Sequence, residues 1–120
     1  MFILKDNKTG INVYFKGKIN RRPSKIGSVK IETNLGGRKT EHTRAVVDLS
    51  IRVDYMSMED YDNLEKIFMV SNNSIDIQDT DKGRYYSKYY ISDDTLEFEE
   101  YEDIENNTYY YIGGFQLSKR

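Results

Sequence analysis

Hydrophobic and polar residues alternate with a period of two along most of this chain, which predicts antiparallel β-strands. The clearest case is residues 45–55, where every second residue from Val47 to Tyr55 is apolar and those between are polar. This is the pattern of a strand with one buried and one solvated face. Shorter runs predict further strands at residues 2–4, 11–15, 26–33, 75–77, 84–91, 96–104 and 108–118.

Polar and glycine-containing segments separate the predicted strands. Residues 18–25 form a basic connection, and Pro23 argues against a central strand there because proline cannot donate to the ladder. Residues 34–42 contain paired glycines and no core pattern, which predicts a mobile loop. Residues 106–107 predict a tight turn, and the glycine pair at 113–114 predicts a bulge or a close approach by a neighbour.

One segment has the period of a helix instead. Ser57 is a suitable N-cap, and Glu59 and Asp60 place negative charge in the first turn, which favours the helix dipole. A single apolar stripe follows, made of Tyr61, Leu64, Ile67 and Phe68. We expect a helix at about 58–70 that packs on a sheet.

Seven or eight short strands with one helix predict a mainly β fold. The expected architecture is an antiparallel β-sandwich or a partly open barrel. The 120 residues are enough for a single domain, 1–120, with the mobile loop at about 34–42.

Charge is divided along the chain. Residues 1–44 contain 11 of the 18 Lys and Arg and three acids, while residues 45–120 contain seven bases and 17 acids. The two parts carry +8 and −10, which sum to the net charge of −2. Opposed charge on two parts of one chain is expected when one face meets the opposite face of another copy or of a partner.

No arrangement of residues indicates catalysis. The chain has no Cys and one His, and it shows no Gly-rich phosphate loop, no Ser/His/Asp set and no spaced carboxylate pair. The Asp residues at 76, 79 and 81 lack the bidentate Glu of a calcium loop. We therefore expect no enzyme, no cofactor and no metal. No apolar stretch is long enough for a membrane span.

Subunit contacts are the expected role of the charged and tyrosine-rich segments. Eight of the eleven Tyr lie between residues 85 and 111, and a period of two places consecutive Tyr on opposite faces. Tyr is favoured at interfaces for its large area and low entropy. The candidate interface residues are Arg21, Arg22, Lys25, Arg38, Lys39, Asp93, Asp94, Glu97, Glu99, Glu100, Tyr86, Tyr90 and Tyr110.

The order of elements from about residue 43 to 118 resembles small bacteriophage tail proteins. A long amphipathic strand leads into the helical segment MEDYDNLEKIF at 58–68, and the chain closes on YIGGFQL at 111–117. This pattern is similar to distal-tail and minor-tail proteins, which build rings at the tail tip. The resemblance implies a β-sandwich with one helix, a homo-oligomeric ring in the virion tail or baseplate, and no catalysis. It also implies that other tail proteins are partners and that nucleic acid only passes through the ring lumen.

Two other functions remain open from the sequence. The basic N-terminal third and the Tyr-rich strands are compatible with a small nucleic-acid-binding β-barrel, which would lose affinity steeply with salt. Acids flank these Tyr, however, and acids repel phosphates. The other alternative is a phage-encoded inhibitor that binds a host protein through its acidic, Tyr-rich strand.

Overall fold

The fold is mainly β with one short helix, as the sequence predicts. The computed structural model describes the backbone of residues 1–32, 39–70 and 73–119, and the side chains of these residues except 24–32 and 39–46. The strands are β1 (Phe2–Asp6), β2 (Asn12–Glu32), β3 (Lys39–Ser57), β4 (Ile75–Asp79), β5 (Arg84–Ile91), β6 (Glu97–Asp103) and β7 (Thr108–Ser118), and the helix is α1 (Met58–Met69). In this part of the chain, no helix is both long and apolar enough to cross a membrane.

The strands form one antiparallel sheet in the order β3-β2-β1-β4-β5-β7-β6. β3 also pairs with β7, from Leu49↔Leu117 to Ser57↔Tyr110, so the pairings return to their starting strand. Strand β6 stands outside this ring of six strands and pairs with β7. The core fills the space within the ring, with fully or nearly buried side chains from β1, β2, β3, β4, β7 and α1, among them Leu4, Phe15, Ile51, Leu64, Ile77 and Phe115.

Strands β2 and β3 continue far beyond the ring as a two-stranded ribbon, which we call the arm. It begins at the pair Arg22↔Asp48, just past the last β3–β7 pair, and its last pair is Glu32↔Lys39. Eleven residues of extended chain give the arm a length of about 36 Å. The molecule measures 73 × 27 × 24 Å with a radius of gyration of 18.5 Å. A compact domain of this length has a radius of gyration of about 14 Å.

The arm corrects the prediction that residues 18–25 form a connection. These residues belong to β2, and Pro23 pairs with Val47. Proline is excluded from central strands but tolerated at sheet edges. Within the described residues, the strand has only β3 beside it at Pro23, so the rule about proline holds although the prediction was wrong. Residues 26–32 of the strand predicted at 26–33 are part of the same β2. Within the predicted loop at 34–42, residues 39–42 belong to β3, whereas residues 33–38 lie outside the described residues.

Helix α1 begins and packs as its sequence predicts. The Ser57 hydroxyl oxygen accepts the Asp60 backbone N–H at 3.3 Å, and the same hydroxyl donates to the Asp60 carboxylate at 2.7 Å. The other carboxylate oxygen of Asp60 accepts the Tyr14 backbone N–H at 3.2 Å. Since Tyr14 lies in β2, this bond fixes the start of the helix to the sheet. Leu64 and Ile67 are the buried residues of the helix.

Two bulges change which side chains point inward. The β3–β7 register shifts between Val53 and Met56, so Met56 is buried and Tyr55 is 37% exposed. The prediction that Tyr55 shares the buried face of Val53 was therefore wrong. The β4–β5 register shifts between Ile75 and Ile77, opposite Lys88, which has a φ of 60°. A period-two pattern cannot be read across such a shift.

Candidate self-association surfaces

Strand β6 forms an acidic edge of the sheet. It pairs with β7 from Glu97↔Gly114 to Asp103↔Thr108, and in the described part of the chain no strand pairs with its other side. Five of its seven residues are acids, and none is a base; the acids are Glu97, Glu99, Glu100, Glu102 and Asp103. An unpaired edge carries free N–H and C=O groups, and its acids repel any other acidic strand.

The inward face of β6 is bound to the body of the protein. Phe98 packs against Tyr61 of the helix at 5.3 Å between ring centroids, and the Tyr111 hydroxyl donates to Glu100 at 3.1 Å. Burial, and then the hydrogen bond to Glu100, raises the pKa of Tyr111 to about 12. Glu100, one of the predicted interface residues, is therefore engaged within its own subunit.

The outward face carries a ladder of three stacked tyrosines. Tyr110 of β7 lies between Tyr55 of β3, at 5.3 Å and 20°, and Tyr101 of β6, at 5.4 Å and 19°. Tyr101 donates its hydroxyl to Glu99 at 2.6 Å, and this hydrogen bond raises the pKa of Tyr101. Tyr110 is covered on both ring faces, while Tyr55 and Tyr101 remain partly exposed, and the stacking stiffens the acidic edge. Tyr110 was predicted as an outward residue, and it does lie on this face.

The paired glycines of β7 are surrounded by neighbouring strands, as the sequence predicts. A Cβ on Gly113 would lie 2.4 Å from the Glu97 carbonyl oxygen, and one on Gly114 would lie 2.7 Å from the Ile51 carbonyl oxygen. Any side chain at these positions would push apart β7 and its neighbours β6 and β3.

The basic surface lies on β2. Strand β1 pairs with β2 only as far as Phe2↔Phe15, so beyond Phe15 the side of β2 that faces β1 has no strand partner in the described residues. We call the segment Lys16–Arg22 the basic edge. It contains four bases and no acid, namely Lys16, Lys18, Arg21 and Arg22, and all four side chains are exposed.

A cleft of about 750 Å³ lies beside the basic edge, where β1 ends. Phe2 and Ile19 contribute apolar surface to it, and Lys82 and Arg84 add positive charge from the β4–β5 turn and β5. Two carboxylates also line the cleft, but both are engaged. Asp79 accepts the backbone N–H groups of the turn, and Asp81 binds the terminal ammonium of Met1. The cleft is therefore suited to an acidic partner.

The other predicted interface residues are scattered. Asp93 accepts the Gln116 backbone N–H at 2.7 Å, and Asp94 lines a hollow with it beside β7. Tyr90 is partly buried and pairs through its backbone with Ser118. Tyr86, another candidate, packs against the core beneath the guanidinium of Arg84, while Tyr85 is exposed. The bulge opposite Lys88 puts both Tyr86 and Tyr89 on the side of the core.

Two of the three remaining basic candidates lie on the arm. Lys25 and Lys39 belong to paired strands, opposite Ala45 and Glu32, but their side chains are outside the described set. Arg38 lies outside the described residues altogether. The acidic and basic edges do not meet within one subunit, because β7 and β3 lie between β6 and β2.

Sequence reasoning missed several residues of these surfaces, among them Lys16, Lys18, Tyr55 and Tyr101. The signal for the lysines was present, since they alternate with Gly17 and Ile19 in a strand-like pattern. No sequence signal marks the bulge that turns Tyr55 outward.

Comparison with known proteins gives no relative: no protein-family model matches the chain, and no curated protein matches it at a significant level. Among the described residues, no group of three or more His, Cys, Asp or Glu side chains is placed to hold a metal ion.

Proposed function

We propose that this protein is a structural subunit that assembles head to tail with copies of itself, as in the ring of a bacteriophage tail or baseplate. The observation that carries the proposal is the placement of charge. An acidic edge strand and a basic edge that continues into a long arm lie on different parts of one molecule.

The arm supports assembly because it is poorly stabilised alone. Beyond the pair Arg22↔Asp48, each of its strands has only the other as a neighbour in the described part. A two-stranded ribbon is marginally stable in water, and a further strand or a packed surface is needed to hold it. A neighbouring subunit supplies such a surface.

The signs of the charges favour a head-to-tail contact over a symmetric one. Two β6 edges placed side by side would bring Glu97, Glu99 and their neighbours against like charges, which is unfavourable. Contact between the acidic edge of one copy and the basic surface of the next brings opposite charges together. Such a heterologous contact makes a ring if its rotation closes.

The phage assignment rests on the sequence pattern. The strand that leads into MEDYDNLEKIF and the closing strand YIGGFQL correspond to β3, α1 and β7 of the fold. The proposed place is the virion tail, with other tail proteins above and below the ring. A nucleic-acid-binding role has less support, because Tyr110 is stacked between Tyr55 and Tyr101, and the ladder lies beside the acids of β6, one of which accepts the Tyr101 hydroxyl.

Light scattering after size exclusion tests the proposal, at about 50 mM and about 500 mM salt so that screening varies. We expect a ring-sized mass that falls as salt rises. The variant R21E/R22E/K25E should self-associate more weakly than the wild type while its thermal midpoint is unchanged. A 14.2 kDa monomer at both salts would contradict self-assembly and favour an inhibitor of a host protein, whose target a pull-down would then identify.

A further inference from the structure

Among the described residues, two open strand edges have sequences of opposite charge. The basic edge reads KGKINRR at 16–22, and β6 reads EFEEYED at 97–103. Each is seven residues long. The first contains only basic charges and the second only acidic ones, so no register between the two segments places like charges opposite each other.

We propose that the acidic edge of one copy adds as a strand to the basic edge of the next. This inference rests on the proposed function and names the contact that performs it. Main-chain hydrogen bonds between two open edges give affinity, and the cross-strand side chains give specificity. The partner is thus a second copy of this chain, bound through β6.

The structure leaves room for the added strand. The pairing of β1 with β2 ends at Phe2↔Phe15, and the cleft of about 750 Å³ continues from that point along β2. Beside the incoming strand, Lys82 and Arg84 face the cleft from its other wall. The incoming acids therefore meet positive charge on two sides.

The direction of the added strand follows from the faces of the sheet. Within one subunit β6 is antiparallel to β7, β7 to β3, and β3 to β2, so β6 and β2 are antiparallel. When the outward faces of the two copies lie on the same side of the joined sheet, β6 of the second copy runs antiparallel to the basic edge of the first. Its outward Glu97, Glu99 and Tyr101 then align with the outward row of Lys16, Lys18 and Asn20.

Charge exchange tests this contact. The variants K16E/K18E and E97K/E99K should each lose self-association by about tenfold or more, because like charges then oppose each other. A mixture of the two should recover assembly, since each variant offers an edge that fits the other. The control K8E/K66E makes the same change in charge as K16E/K18E, but at exposed positions away from both edges. It should assemble as the wild type does. Thermal midpoints confirm that each variant folds.

Engineered thiols test the pairing itself, because the chain has no native Cys. N20C is combined in turn with Cys at the outward positions 97, 99 and 101 and at the inward positions 98 and 100. In a sheet, only same-face residues directly opposite lie within disulfide reach. Under mild oxidation we expect intersubunit crosslinks with one outward position and none with the inward positions.

The outcomes separate this inference from the proposed function. If the wild type assembles but K16E/K18E assembles equally well, or the thiols do not crosslink within the assembly, the strand addition is wrong and head-to-tail assembly stands. If R21E/R22E/K25E weakens assembly while K16E/K18E does not, the contact lies at the start of the arm and not along Lys16–Asn20. A wild type that never assembles contradicts both.

Discussion

The rings of Tyr61 and Tyr111 lie 4.0 Å apart at their centroids and within 10° of parallel. This stack joins the helix to β7, and Phe98 of the acidic edge packs on the same Tyr61 ring. The helix thus acts as a clamp that holds β6 in place, although β6 has a strand neighbour on one side only.

Removal of the Tyr61 ring should therefore weaken both the fold and the edge. We expect Y61A to lower the free energy of unfolding by about 2 kcal/mol, from lost aromatic area and lost stacking. Y61F keeps the ring and should cost less than about 1 kcal/mol. Urea denaturation measures both values. Equal stability of Y61A and the wild type would show that the stack does not hold the helix.

The helix and the last strand follow from local sequence, and the sequence therefore predicts them well. Ser57 caps the helix as predicted, and β7 runs over the predicted 108–118. The predicted face of Tyr55 was wrong because it follows from a register shift between strands, which is a tertiary property. The arm was missed because a proline such as Pro23 is typical both of an edge strand and of a break between strands. Only the sheet topology decides between the two. The division of charge along the chain is visible in the sequence. Which strand edges expose these charges depends on where β1 and β6 pair, and the sequence does not show this.

Alkaline pH should destabilise the protein through Tyr111. The pKa of this tyrosine is about 12 in the fold against 10.0 for a free tyrosine, since burial and then Glu100 favour its neutral form. Its contribution to stability is complete below pH 10 and is lost as pH rises toward about 12. Burial raises the pKa of Tyr61 and of Tyr89 as well, so they act in the same direction.

Thermal melts of the wild type and Y111F measure this effect. They are recorded between about pH 8 and about pH 12, a range that includes the free and the folded pKa of Tyr111. The wild type should lose more of its thermal midpoint than Y111F does, because Phe cannot ionise. Parallel curves for the two proteins would assign the alkaline loss to other groups.

Gly17 should not tolerate any side chain. It sits at a shift in the β2–β3 register, and a Cβ there would lie 1.8 Å from the carbonyl oxygen of Arg52. Since this contact is with backbone, the strands must move apart. We expect G17A to lose about 2 kcal/mol or more in the free energy of unfolding. The basic edge should also lose its shape, so self-association should fall.

Gly83 serves as a control that separates the effect of crowding around the Cβ position from the effect of backbone conformation. Gly83 has a φ of +66° and open space around its Cβ position. Asn adopts such a conformation readily, so G83N should be nearly neutral, whereas G17N should be as damaging as G17A. Equal effects of G83N and G17N in denaturant unfolding would mean that crowding at Gly17 is not the cause.

Lys88 has a left-handed backbone conformation within strand β5. Its φ of 60° is unusual for a residue with a side chain, and its backbone N–H donates to Asp76 at 2.9 Å. The Tyr85 hydroxyl donates to the same carboxylate at 2.9 Å. Burial opposes ionisation of Asp76, but these bonds, with Asn7 and Lys5, outweigh it and lower the pKa of Asp76.

Replacement of Lys88 by glycine should relieve the strain and keep the hydrogen bond, because the donor is the backbone. We expect K88G to be more stable than K88A by about 1 kcal/mol, since only Ala retains the Cβ that disfavours positive φ. Asp76 tests the same bulge from the other side. Its ionised form stabilises the fold above the ordinary pKa of 3.8, and this contribution is lost as pH falls through the lower pKa of the folded state. D76N should therefore be less stable than the wild type at neutral pH, with a smaller difference in acid. If K88G and K88A were equally stable in urea, the backbone at this bulge would not be strained.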